Sequence, residues 1–340
     1  MKRKIAHRLS ALRRRKNPIL VDVAAKAVPA APAPDFSRAH LQRRTIPPPG
    51  LRRPHIVPAS TLGLPPEEWV LGVEWGGEAR VYPIAALWKH HTINDQVGGK
   101  PLLISFCRKC YGAVAFDPQV DGQALTLEVF GAYQGAVVLA DDKTNSLWSA
   151  LTGVALAGPM LGSRLDLAPL RLTTFAQWLT MHPDSSAPDP AGMVRPARWL
   201  PGKYKFGRSW RQTVSRWDDR LPERTFVLGV EAGPATRAFV LSVDEPGPRL
   251  YQDEVGGTPI VLLAPPGAWP LAFDRRVDGR VASFHLDGDR IVDDAGKTWT
   301  ADGREADSSS EGRSLAFVPS RITEWYAWAA AHPDTEISRP

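Results

Sequence analysis

The stretch "LPPEEWVLGVEWGGEARVYPI", residues 64–84, is answered by "LPERTFVLGVEAGPATRAFVL", residues 221–241, an offset of 157 positions. Further matches follow in the same order. "DQVGGKPLLI" from Asp95 pairs with "DEVGGTPIVL" from Asp253, and "AFDPQVDG" from Ala115 pairs with "AFDRRVDG" from Ala272. "FAQWLTMHPD" from Phe175 pairs with "EWYAWAAAHPD" from Glu324. Several matches in one order at a nearly constant offset mark a duplicated, domain-sized unit rather than a solenoid.

Each copy reads alike. "WVLGVEWGGEARVYPI" alternates in polarity and pivots at Gly76-Gly77, a hairpin signal. "KPLLISF" is a short apolar run and predicts a buried strand. "GAVAFDPQVDGQALTLEVFG" predicts a second hairpin turning at Asp121-Gly122. "TTFAQWLTMHPD" predicts a short helix, capped by Thr173 or Thr174 and stopped by Pro183, with a counterpart starting near Thr323. The expected class is therefore α+β and β-rich: two tandem related units of mostly antiparallel sheet, each with a late helix.

The predicted layout is a basic disordered tail over 1–53, a first unit over 54–186, a linker over 187–220 and a second unit over 221–340. Residues 1–53 hold fourteen Lys/Arg against two Asp/Glu, whereas the remainder is mildly acidic. The overall charge of +6 thus belongs to the tail, and no nucleic-acid partner is expected of the folded part. Ile5, Leu9 and Leu12 share a helical face among arginines, so residues 1–16 are a candidate contact to an anionic membrane surface or an acidic partner. Asp22 interrupts the one apolar run that could serve a signal peptide, and no stretch is long enough to span a bilayer as a helix. The default expectation is a cytoplasmic protein; the oligomeric state is open.

The only two cysteines lie in "SFCRKCYG", as Cys107 and Cys110. At the same offset the second copy has Ala264 and Gly267, and the histidines of "LWKHHTIND" also lack a counterpart. Scaffold features recur while these reactive residues do not, which makes the second unit a degenerate copy. Two thiolates with imidazole suit Zn(II) or Cu(I), giving a candidate metal set of Cys107, Cys110 and His90, with His91, Asp95 and Asp141 as further candidates. A thiol–disulfide pair is the competing chemistry, and Arg108 and Lys109 between the sulfurs would favour a thiolate. Reduced cysteines acting only as small apolar groups, in an interaction or scaffold protein tethered by its basic tail, are the third reading. His182, which recurs as His332, reads as a cation at the end of a helix. No phosphate loop, dinucleotide fingerprint or serine-hydrolase elbow is present.

These stretches together, with "DDKTNSLWSALTG" from Asp141, resemble an uncharacterised prokaryotic family known as domain of unknown function 3179. The resemblance runs from Gly72 to Asp184, continues in the lead-in from Asp218 to Glu231, and leaves the basic tail outside. It implies no activity. It does imply that the Cys-x-x-Cys pair, His90 before Asn94-Asp95, and Asp141 before Trp148 are the family's marked positions. The chain departs from the family's usual Cys-Pro-Leu-Cys-Gly by having Arg108, Lys109 and Tyr111, so the tight turn after Cys110 is not assured.

Overall fold

The structure, a computed structural model, describes residues 36–43, 50–189, 207–241, 247–306 and 313–340. The candidate membrane-contacting segment, residues 1–16, lies outside them.

The repeated hairpin forms as expected. In the first unit it is β3 (Trp69–Trp75) and β4 (Glu78–Pro83), in the second β14 (Phe226–Ala232) and β15 (Ala235–Phe239). Gly76 and Gly77 take φ of 58° and 84° at the turn, which only glycine does without strain. A helix α1 (Ile84–His90) follows the first hairpin and leads into β5 (Thr92–Val97), β6 (Lys100–Phe106) and β7 (Ala113–Asp117). The second unit has β16 (Arg249–Val255), β17 (Thr258–Ala264) and β18 (Leu271–Asp274) in the same places. Each unit then returns by a strand into its late helix: β12 (Arg171–Thr174) into α2 (Phe175–Met181), and β23 (Ser320–Glu324) into α3 (Trp325–Ala331).

The two units exchange halves. The sheet that carries the cysteines runs β5-β6-β7 from the first unit and continues β23-β14-β15 from the second, with Ile322 bridged to Ala113 at the junction. Reciprocally, β12 reaches the second unit through a bridge from Thr173 to Ala268, and the Thr174 N–H donates to Gly267 O. One apolar core draws Leu71, Ile104 and Phe106 from the first copy and Leu228, Ile260 and Trp269 from the second. The architecture is β-rich α+β with mostly antiparallel sheets. Its units are covalently tandem but spatially interleaved.

Two stretches expected to lie outside the fold are partly built into it. Within 1–53, Phe36 is buried against Tyr133 with ring centroids 4.9 Å apart. Gln42 and Arg43 pair with Ala132 and Gly131, and Leu51 and Arg52 pair in parallel with β5. Within 187–220, a helical turn at Arg208–Arg211 buries Trp210 in the apolar cluster that also holds the cysteines. Isolated apolar side chains in a polar stretch carry no periodicity, so neither segment announces its packing.

Candidate functional site

β6 ends at Phe106, and the next four residues form a turn that returns the chain to β7. The Cys107 N–H donates to Gly112 O at 2.9 Å, and the Cys110 N–H points to Cys107 Sγ at 3.5 Å. Neither cysteine is in a disulfide, and both are buried, 5% and 1% exposed. Tyr111 replaces the expected glycine yet adopts a left-handed φ of 51°. The tight turn is therefore present, at a backbone cost of about 1 kcal/mol. Complete burial of Tyr111, with edge contacts to Phe106 and Phe226, offsets that cost.

The second unit closes the site from above the turn. The Glu324 N–H donates to Cys110 O at 2.9 Å, and Thr323 Oγ1 donates to the same carbonyl at 3.1 Å. The Glu324 side chain is fully buried. Its Oε1 accepts from Arg224 Nε at 3.0 Å and Nη2 at 2.8 Å, while its Oε2 is buried with no hydrogen-bond partner. Tyr326 completes the wall: its hydroxyl accepts from Trp210 Nε1 at 3.0 Å and donates to Gly135 O at 3.3 Å.

Burial governs the electrostatics. It pushes the Cys110 thiol well above its usual range, and the hydrogen bond and negative charge of Cys107 push the same way. The thiolate stabilisation expected from Arg108 and Lys109 does not prevail at Cys110. Burial also pushes the Glu324 carboxyl up to about 8 against the pull of Arg224, and the charge of Cys107 adds to the rise. Cys110 therefore holds its proton at neutral pH, and the neighbouring carboxyl is mostly protonated there.

The histidine segment does meet the cysteine segment. The Phe106 N–H donates to His91 O at 2.9 Å, and His91 Nδ1 lies 3.1 Å from Phe106 O. His90 ends α1 one residue earlier and is half-buried. Yet no three His, Cys, Asp or Glu groups among the described residues converge on a point that could hold a metal ion. The expected ligand set is thus not assembled, and the two aspartates have other tasks. Asp95 accepts from Arg80 Nη1 at 3.0 Å and from Tyr82 at 2.8 Å. Asp141 accepts from Trp148 Nε1 at 3.0 Å and gathers the backbone N–H groups of Lys143 and Thr144.

Both tasks recur in the second copy. Arg237 donates to Asp253 at 2.6 Å, and Trp299 Nε1 donates to Asp293 at 3.0 Å. Asp95 and Asp141 thus make hydrogen bonds that both copies share, whereas the cysteines have no counterpart. His182 and His332 recur as well, but not as helix-end cations. Burial lowers both, His332 to about 4, and each ring packs on a tryptophan.

The residue that sequence reasoning missed is Glu324. A signal was available: it occupies the cap position held by Thr174 in the first unit, where the threonine hydroxyl accepts from Gln177 N. Glutamate lacks that capping geometry, and Glu324 makes no side-chain cap bond.

Fold and site together define a duplicated, half-exchanged β-rich protein with a buried dithiol in one copy only. The chain belongs to the family described as protein of unknown function (DUF3179), whose model matches residues 46–335. No curated protein and no solved structure matches it. No helix among the described residues is long and apolar enough to cross a membrane.

Proposed function

We propose that the protein carries out thiol–disulfide exchange through Cys107 and Cys110. The observation that carries this reading is the mutual contact of two buried, reduced thiols in a tight turn, with no third ligand converging on them among the described residues. Cys107, the more exposed residue of the pair, attacks a partner disulfide as thiolate, forming a mixed disulfide and expelling one partner thiolate. Cys110 then attacks Cys107 Sγ, closes the internal disulfide and expels the second partner thiolate. The partner disulfide gains two electrons and the dithiol loses them.

Redox titration with mass spectrometry tests the reading. An internal Cys107–Cys110 disulfide should form reversibly, and Cys110→Ala should trap the mixed disulfide on Cys107. A pair that forms no disulfide under any oxidant, or a stoichiometric metal ion lost on Cys107→Ala/Cys110→Ala substitution, would overturn it.

A further inference from the structure

We infer that Glu324, supplied by the second unit, accepts the Cys110 proton as that thiol closes the disulfide with Cys107. The inference rests on the thiol–disulfide reading and adds a residue to it. Attack on a disulfide requires a thiolate. Cys110 is the more deeply buried residue of the pair, and burial is the largest cause opposing its ionisation. It therefore needs a base on the protein, because bulk water reaches so deeply buried a thiol poorly.

Glu324 is built for that place. Its backbone N–H is fixed on the Cys110 carbonyl, and its fully buried carboxyl acts electrostatically on Cys110. Both Arg224 contacts fall on Oε1, which leaves Oε2 as the oxygen able to bind and release a proton. A buried acceptor without a partner is costly to a fold unless it carries a proton or serves one. The carboxyl titrates at about 8, near enough to neutrality to exchange protons both ways. The charged and titratable groups acting on it are Arg224, which favours its ionised form, and Cys107 and Glu223, which oppose it. It in turn raises Cys110 and Tyr326.

The duplicate sharpens the assignment. Where the first unit's helix meets the second unit's turn, Thr174 faces Gly267 in the arrangement that Glu324 and Cys110 adopt. Thiols and carboxyl are thus absent together from one junction and present together at the other. The second unit has lost the cysteines of its own turn but completes the first unit's site.

In the proposed step the Cys110 S–H proton passes to the Glu324 carboxylate. The Cys110 sulfur forms a bond to Cys107 Sγ, and the bond from Cys107 to the partner sulfur breaks with the electron pair leaving on that sulfur. During reduction of the internal disulfide the protonated carboxyl returns the proton to Cys110.

The test uses the full chain and a chromogenic aromatic disulfide, dithiobis-nitrobenzoate, in single-turnover mixing. The first nitrothiophenolate released reports attack by Cys107; the second reports ring closure by Cys110. In the wild type the second rate should rise with pH and level off above about 8. Glu324→Gln should slow the second release about 100-fold and abolish the levelling, while leaving the first release nearly unchanged. Arg224→Gln removes the group that favours the carboxylate, so it should move the midpoint upward, and it provides an arm that keeps the acid in place. If Glu324→Gln leaves the second rate and its pH profile unchanged, or Arg224→Gln leaves the midpoint fixed, the inference is wrong. A wild type that releases only one equivalent sinks the thiol–disulfide reading itself, a result distinct from either.

Discussion

His332 packs its ring on Trp328 with centroids 4.0 Å apart, and its Nε2 lies 3.3 Å from Glu231. Burial dominates over the carboxylate, with Arg321 and Arg164 opposing protonation as well, so the ring stays neutral down to about pH 4. A histidine whose folded value lies below its unfolded value of about 6.5 binds protons preferentially in the unfolded chain. Its contribution is therefore complete above about 6.5 and is lost as pH falls toward about 4. The difference corresponds to about 3 kcal/mol. His332→Gln should flatten the melting temperature between pH 6.5 and 4 relative to wild type. Parallel thermal melts at stepped pH decide it: an equally steep acid decline in the variant would assign the loss to other groups. The same residue shows why a recurring histidine is a poor guide to chemistry, since Glu231–His332–Arg321 repeats Glu74–His182–Arg171 in composition.

At the scale of elements, the late helices dock on the repeated hairpins through one device. An added Cβ at Gly72 would lie 2.0 Å from the Trp178 ring, and one at Gly229 would lie 2.3 Å from the Trp328 ring. Both rings are buried and anchored: Trp178 Nε1 donates to Ser185 and Trp328 Nε1 to Thr335, each at 2.9 Å. Neither glycine has a positive φ, so close approach is what excludes a side chain. Gly72→Ala and Gly229→Ala should each destabilise the fold by about 3 kcal/mol, through displaced helices rather than strained backbone. Denaturant melts measure this, and a loss below about 0.5 kcal/mol would show that the helices shift freely.

The repeated first hairpins, the buried strands and the late helices were legible in sequence because each rests on local periodicity and turn chemistry. The hairpin expected at Asp121-Gly122 pairs only Gln119-Val120 with Gln123-Ala124, and the strands flanking it, β7 and Leu127–Tyr133, join different sheets. The class of the fold followed from them. Aligning the two copies could also have retired Asp95 and Asp141, since Arg80 and Asp95 answer Arg237 and Asp253, and Asp141 precedes Trp148 as Asp293 precedes Trp299. What local patterns could not show is which β edge the turn meets. Glu324 reaches Cys110 across 214 positions through a single bridge between β7 and β23, and that pairing has no signature in either strand.

The interleaving of the two units sets how the whole molecule unfolds. Arg171 of the first unit is buried in the second, donating to Trp269 O at 3.1 Å, Ala301 O at 2.8 Å and Asp302 at 2.7 Å. Arg321 of the second unit is buried at the reciprocal place, bonded to Leu151 O of the first and ion-paired to Glu231 at 2.7 Å. Separating the units would strip Arg171 of its second-unit partners and Arg321 of the Leu151 carbonyl, open the junctions at β7–β23 and Thr173–Ala268, and divide the shared core. A buried charge stripped of its partner costs about 3–5 kcal/mol, and the exposed core adds to that for both units at once. Neither unit then has a folded state to retain when the other is lost. Calorimetry of the intact chain should show one transition whose van 't Hoff and calorimetric enthalpies agree, not the two expected of tandem independent domains. Hydrogen exchange supplies the finer check: amides of β6 and β17 should open with the same free energy, equal to that of global unfolding. Two resolved heat peaks, or β17 exchanging while β6 stays protected, would mean that the thiol site survives without the second unit. The completion of that site by Glu324 would then be an accessory of the fold rather than a condition of it.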